Sequence, residues 1–517
     1  MDLYLNGYNY ALRRYLVQGF ANGFSLQNIK YTTNDSDKTL SSARIRPDIV
    51  DKKIDKELKA NRVAGPFLES PFHEPVFSPL GLVPKKIAGE FRVIHHLSYP
   101  EGFSVNDGIP KSESTVQYTS ISEAIKIIVK FGSNCYLAKS DIQSAFRIIP
   151  VSPNDYHLLG FKWKNHCYFD RCLPMGASSS CAIFERFSTA LEWIVKNYIT
   201  NTAVLHVLDD FLFISPKFED CQSALRIFLR LCSDIGIPIA NDKTVGPFTI
   251  LPFLGIELNT VSMSASLPQD KIEKFMSLIN KFLSSSNVTL KELQSLNGML
   301  NFACGIIAPA RAFSRRMYNL SKGVTKSFHK IKMTNSVKSD LKVWQEFLMS
   351  YNNRTFFLDY LWLDTNVLKL ETDSSSTIGF GARFQNHWFA GKWHEKCLRM
   401  NIALLEIYPI YLALVVWGQE FKDKCINILS DNMSEVFILN QFTSKDNDIM
   451  VIVRALVLHC MRFNILIKAT HISGRSNIIP DLLSRQQVAK ALQLDYRLDK
   501  VPTSVPESLQ LQKLLKI

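Results

Sequence analysis

The sequence has little with which to build a disulfide framework or a zinc ribbon. Its ten cysteines, from Cys135 to Cys460, are scattered without a single CxxC pair, so reduced thiols in a cytoplasmic or nuclear, intracellular protein are expected. His166, Cys167 and Cys172 lie near one another, but no second cluster with zinc spacing accompanies them, and packing is the expected role. No basic segment followed by an apolar core opens the chain, so no secretory signal is read. Long apolar runs are missing too. The most apolar segment, "IALLEIYPIYLALVVWG", is interrupted by Glu406 and Pro409 and is too short to cross a bilayer of about 30 Å, which argues against membrane insertion. Neither an internal repeat nor a low-complexity tract occurs, which excludes a solenoid or an extended disordered chain.

Acidic residues are in deficit. Against 60 Lys and Arg there are 47 Asp and Glu, a net charge of +13, and such an excess favours a polyanionic partner, nucleic acid first.

The polar stretch "TTNDSDKTLSS" reads as loop or linker within an N-terminal extension over 1–60. Beyond it, β-rich runs such as "EFRVIHHLS", "YLAKSDIQ" and "VLHVLDDFLFI" alternate with helical stretches, predicting an α+β unit over 61–262. Apolar residues at helix-face spacing, uninterrupted by strand signals, predict a helical segment over 263–355. A second α+β unit over 356–487 reads strand, strand, strand, long helix, strand, helices, strand and short helix, followed by an unpatterned tail over 488–517.

Two sets of acids carry chemistry. Asp209 and Asp210 interrupt an apolar hairpin, where adjacent carboxylates repel unless a cation neutralises them. Asp141 ends another apolar strand. Three carboxylates at neighbouring strand ends suit two Mg²⁺ ions roughly 4 Å apart, with Mn²⁺ as the alternative. In the later unit Asp373, Glu406, Asp431 and Asp481 are spread along the chain. Glu406 sits on a helix apolar on nearly all sides, where an ionised carboxylate is costly without a cation or donors. His95 and His96 adjoin on a strand and face opposite ways, so both are read as packing residues.

These motifs, in this order, resemble the reverse transcriptases of retroelements, most nearly those of DIRS-like retrotransposons. "SDIQSAF" resembles the strand bearing the first metal-binding Asp, Asp141. "LPMGASSSCAIF" resembles the loop and helix that support template and incoming nucleotide, with Met175 and Gly176 at the nucleotide, and "VLDDF" resembles the catalytic hairpin, Asp209 being the more direct ligand. "GLVPKKIAGEFRVIHHLSYP" is similar to a fingers hairpin whose Lys85 and Arg92 would grip the triphosphate. Phe146 matches an aromatic gate against a ribose 2′-hydroxyl. Lys243 resembles the lysine that protonates departing pyrophosphate, and "PFLGIELN" a primer grip. Val207 and Met175 stand where many relatives carry an aromatic residue and a Gln. Even "LVQGFANGFSLQ" resembles the segment preceding the polymerase in DIRS-like elements.

The later acids resemble the RNase H fold, with His471 in a mobile loop before Asp481. The resemblance therefore implies a right-hand polymerase (fingers and palm over 61–262, helical thumb and connection over 263–355) followed by an RNase H-like α/β domain. It implies two Mg²⁺ per site, and RNA template, DNA primer, dNTPs and RNA/DNA hybrid as partners beside other element-encoded proteins. The activity implied is RNA-directed DNA synthesis with RNase H cleavage of the RNA strand. Two other readings are open to the sequence: a catalytically decayed or domesticated nucleic-acid-binding copy, and an unrelated basic two-domain protein in which both ordered acid series are coincidence.

Overall fold

The computed structural model describes residues 1–30, 34–35, 38–85, 89–351 and 367–515. They divide into two compact units, Met1–Leu254 with Asn259–Val261, and Gly255–Leu258 with Ser262–Ile517. Both mix helices and sheets, as the α+β reading expected.

In the first unit, helices α1 (Tyr10–Asn22) and α2 (Pro47–Lys59) precede a hairpin of β1 (Leu80–Pro84) and β2 (Phe91–His95). Next come β3 (Tyr136–Asp141), α3 (Ser180–Lys196), β4 (Ala203–Val207), β5 (Asp210–Ser215), α4 (Phe218–Asp234) and β6 (Val245–Phe248). The last four strands form an antiparallel sheet in the order β6, β3, β5, β4. Strand β5 is apolar at every position from Phe211 to Ile214 because it is central in the sheet and covered by α4. Phe211 and Phe213 are wholly buried there, each contributing on the order of 1.5–3 kcal/mol by leaving water.

Within the N-terminal extension, helical segments flank the stretch read as linker. Asn9 caps α1 by accepting from the Leu12 amide at 3.1 Å, and Leu5, Leu16, Phe24 and Leu26 are buried in the core of this unit. The backbone of Phe24 bonds in both directions, to Pro150 and from Ser152, at 2.9 Å each. Gly23 makes that junction feasible: its φ is +86°, and a Cβ there would lie 2.4 Å from the Val151 carbonyl oxygen. Part of "TTNDSDKTLSS" (32–33 and 36–37) lies outside the described residues.

The second unit begins with α5 (Gln269–Ser284), α6 (Leu290–Ala303) and α7 (Asn335–Glu346). The helical expectation needs two corrections. Ser264–Ser266 is a strand at the edge of a three-stranded sheet. Asn287–Thr289 and Lys330–Lys332 pair as a short antiparallel ladder, since strands of three residues are too short to show alternation. The expected boundary at 355/356 lies outside the described residues.

A mixed sheet follows, built from β7 (Leu368–Ser374), β8 (Gly379–Phe384), β9 (His387–Lys392), β10 (Cys425–Ser430) and β11 (Leu466–His471) in the order β9, β8, β7, β10, β11. The first three are antiparallel, and β7, β10 and β11 run parallel. Its helices are α8 (Ile402–Val416), α9 (Met433–Gln441), α10 (Asn447–Phe463), α11 (Ile478–Ser484) and α12 (Val488–Leu494). Helix α8 is buried throughout 403–414 and carries Pro409 without ending, explaining why its sequence is apolar all round. The tail packs as well: Leu498 and Leu511 are buried, and the Thr503 amide bonds to the Trp388 carbonyl at 2.8 Å.

Candidate active site

The hairpin register sets the first acid cluster. Asp141, the last residue of β3, is the cross-strand partner of Asp210, which in turn faces Val207, and the Ile142 amide bonds to the Asp209 carbonyl at 3.0 Å. Three carboxylates thereby share one end of the sheet. Their electrostatics register the crowding. Burial, then the charge of Asp141, raises the pKa of Asp209. Burial, then Asp209 and Asp141, pushes Asp210 up to about 6, with a hydrogen bond between the Asp210 and Asp141 carboxyl groups. Lys243 Nζ lies 2.8 Å from Asp141 Oδ2, placing one cation on the cluster already.

A cavity of about 490 Å³ opens beside the acids, and Asp141, Asp209, Lys85, Arg92, Met175 and Lys243 all line it. Six residues singled out in the sequence thus meet around one space. Lys85 also pairs with Glu90 at 2.9 Å across the end of the hairpin, while Arg92 and Met175 are exposed. Phe146 is half-buried, packing edge-on to Phe184 with ring centroids 5.4 Å apart. Gly176 approaches the β2 backbone so closely that a Cβ would lie 2.0 Å from the His95 carbonyl oxygen, and its own carbonyl accepts from Asn106 at 2.9 Å.

Sequence reasoning missed the floor of this cavity. Arg147 is half-buried with its Nη2 2.7 Å from Asp170 Oδ1 and 3.0 Å from Glu57 Oε2. Burial opposes its charge, but Asp170 and Glu57 outweigh that, and its pKa is raised. His95 joins this network instead of merely packing: Nδ1 is 3.1 Å from Asp170 Oδ2 and Nε2 is 3.1 Å from the Gly160 carbonyl. The available signal was an arginine inside the apolar run "AFRIIP". Lys53 and Lys56 of α2 also line the cavity; within a helix rich in charges nothing distinguished them.

In the second unit Asp373 lies within β7, Asp431 directly follows β10, Glu406 is on α8 and Asp481 on α11. Burial, then Glu435, Asp373 and Asp431, raises Glu406 to about 10. Asp373 is pushed up to about 6, mainly by burial, with Asp431 and Asp481 adding to it and the Ser484 hydroxyl opposing. The four expected acids therefore act on one another. A fifth was missed: Glu435, fully buried on α9, accepts from Ser430 Oγ at 3.0 Å, and its Oε1 has no hydrogen-bond partner among the described residues. Its signal was an acid one helical turn beyond Asp431. His471 is a correction. It is the exposed last residue of β11, paired with Ser430, and not part of a loop.

Among the described residues no group of three or more His, Cys, Asp or Glu side chains is gathered around one point as a metal cage would be. The donor chemistry nevertheless fits divalent cations. Each site is carboxylate-rich with pKa values raised by burial and then by neighbouring carboxylates, Lys243 already contributes a cation in the first, and the second holds an orphaned carboxyl oxygen on Glu435.

Residues 91–258 match the family described as reverse transcriptase (RNA-dependent DNA polymerase). This segment is a reverse transcriptase domain. It contains β2, Asp141, Asp209, Asp210, Phe146, Met175, Gly176 and Lys243. Protein P of a duck hepatitis B virus (strain China) is 27% identical over 164 residues, 31% of this chain and 20% of that protein. The Gag-Pro-Pol polyprotein of human T-cell leukemia virus 2 is 23% identical over 265 residues, 48% of this chain and 17% of that one. The chain matches about a fifth of the length of these relatives. Among solved structures, a foamy viral protease-reverse transcriptase dRH in complex with double-stranded DNA aligns with a TM-score of 0.54 at 16% identity, covering 90% of this chain and 79% of that one. A foamy viral protease-reverse transcriptase in complex with an RNA/DNA hybrid aligns at 0.52 and 15%, covering 96% and 63%. Beyond the reverse transcriptase domain itself, these likenesses establish the polymerase fold.

Proposed function

We propose that the chain is an RNA-directed DNA polymerase of a retrotransposon, DIRS-like in its motifs, with an RNase H-like domain acting on RNA/DNA hybrids. The observation that carries the reading is the meeting of Asp141, Asp209 and Asp210 at one sheet end, beside a cavity edged by Lys85, Arg92 and Lys243, inside a reverse transcriptase domain. Two divalent ions held by those carboxylates would activate the primer 3′-oxygen and offset charge on the leaving phosphate. The chain's own residues do the rest. Lys85 and Arg92 orient the triphosphate, Arg through a planar fork and Lys as a mobile charge. Lys243 holds a proton within reach of a departing pyrophosphate. Phe146, which packs on Phe184 and does not line the cavity, would have to turn toward it to close the space a 2′-hydroxyl needs.

In the second unit Asp373, Glu406, Asp431 and Asp481 would hold Mg²⁺ for attack of water on an RNA phosphodiester, with His471 exposed to move a proton. The proposed organisation is fingers and palm over 61–262, thumb and connection over 263–355, and the nuclease over 356–487. Nucleic acid backbones would be held by the basic excess, weakening as salt rises.

The test is extension of a DNA primer on an RNA template with dNTPs and Mg²⁺. Incorporation should be template-directed, should favour dNTPs over rNTPs, and should stop on chelation and resume when Mg²⁺ or Mn²⁺ is restored. A folded chain inert under all these conditions would contradict the reading.

A further inference from the structure

Behind the catalytic hairpin lies a buried charged cluster that none of the motifs above includes. His206 on β4 is 5% exposed and sits between two glutamates of α3. Its Nδ1 bonds to Glu192, and its Nε2 lies 3.1 Å from Glu185 Oε1, an ion-pair distance off the hydrogen-bond line. Glu185 and Glu192 are seven residues apart, two helical turns, and so share one helix face. A neutral imidazole has one donor and one acceptor nitrogen. Here a carboxylate faces each nitrogen, an arrangement that suits the imidazolium alone. Its pKa agrees: burial lowers it, but Glu185 and Glu192 outweigh burial and lift it to about 9.

Glu185 has a second attachment. Its Oε2 accepts from the Leu208 amide at 3.3 Å. Leu208 stands directly before Asp209 with φ of +53°, a left-handed conformation that a leucine adopts only when its surroundings impose it. One carboxylate thus ties a buried cation to the strained residue at the tip of the catalytic hairpin.

We propose that Glu185 and His206 are positioning residues of the polymerase site: His206 fixes the Glu185 carboxylate, Glu185 fixes the Leu208 turn, and the turn sets where the Asp209 carboxylate lies. This rests on the polymerase reading. The charged and titratable groups facing the pair are Glu185 and Glu192 on α3, Lys196 paired to Glu192 on its outer side, Tyr8 near Glu192 and Tyr118 near Glu185. From β5 the facing group is the uncharged ring of Phe211, 5.4 Å from the imidazole. The sign is fixed by protonation. The clamp is complete below pH 6.5 and through neutrality, and is lost as pH rises through about 9.

The experiment is steady-state extension against dNTP concentration from pH 7 to 10, with melting curves alongside, for the wild type, Glu185→Ala, Glu185→Gln and His206→Gln. Glu185→Ala should lower kcat roughly tenfold with dNTP KM within about twofold, the signature of misplaced chemistry. Glu185→Gln keeps an oxygen for the Leu208 amide and should recover to within about threefold of wild type. Wild-type kcat should fall more steeply above pH 9 than that of His206→Gln, which has no proton to lose there. Should His206→Gln fail to fold, the Glu185 pair decides. Wild-type kcat in Glu185→Ala, or equal losses in both Glu185 variants that merely track melting temperature, would overturn the proposal. A folded wild type that extends nothing at any pH would overturn the polymerase reading, and this inference with it.

Discussion

Replacing Asp209 by Asn should slow primer extension roughly a thousandfold while leaving a chain as stable as the wild type or more so. The two halves of that expectation share a cause. Asp209, Asp210 and Asp141 crowd one sheet end: burial and then Asp141 raise the pKa of Asp209, and burial, Asp209 and Asp141 raise that of Asp210. Without a cation, ionised Asp209 is a cost to the fold, and a neutral amide of the same shape removes like-charge repulsion. With cations bound, that charge would serve as their ligand. The variant should also still bind primer and template, since the basic excess of +13 is reduced by neither charge nor shape at that position. Single-turnover extension, a binding titration and a melt separate these. An extension rate near wild type would remove Asp209 from the machinery.

The second large effect is expected from Glu406→Gln. Glu406 is 7% exposed and has its pKa pushed up to about 10 by burial and then by Glu435, Asp373 and Asp431. Cleavage of RNA in a hybrid should fall roughly a thousandfold, with extension of a primer unchanged. The fold should respond in the opposite direction. In the metal-free wild type the folded form keeps a proton on Glu406 that the unfolded chain releases above about 4.5, so stability contributed by this group falls as pH rises from there toward 10. The Gln variant has no such proton. Its melting temperature should therefore depend less on pH between 6 and 9 than that of the wild type. Hybrid cleavage persisting in the variant would mean that these carboxylates do something else.

Particular residues show what was legible in the sequence and why. Asp209 and Asp210 stood out because charge inside an apolar hairpin needs a reason, and the register with Asp141 supplies it. Glu406 stood out for the same reason on α8. The alternation of strands and helices in the second unit followed the order read from the sequence, because each run was long enough to show its period. The Asn287–Thr289 ladder was hidden by its three-residue strands. The packing of Leu5, Leu16 and Phe24 was hidden because the partners they meet lie far along the chain.

What escaped was chiefly pairing over long sequence separations. Nothing local says that Arg147 meets both Glu57 and Asp170, or that His95 faces a carboxylate and a carbonyl at once. Glu185, His206 and Glu192 each look ordinary alone. Their meaning comes from a helix face laid against a strand, and helix-strand contact cannot be read from either segment. Glu435 was passed over because helices commonly carry an acid in the first turn, and only its burial separates it from a cap.

Asp141 and Asp209 would hold divalent cations between them. The test is anomalous diffraction from crystals of the chain with primer, RNA template, incoming nucleotide and Mn²⁺. Two manganese peaks roughly 4 Å apart, each bonded to oxygens of Asp141 and Asp209 with the Lys243 ammonium displaced from Asp141, are the expected result. Manganese density elsewhere, with Lys243 still on Asp141 in crystals shown to extend their primer, would contradict it.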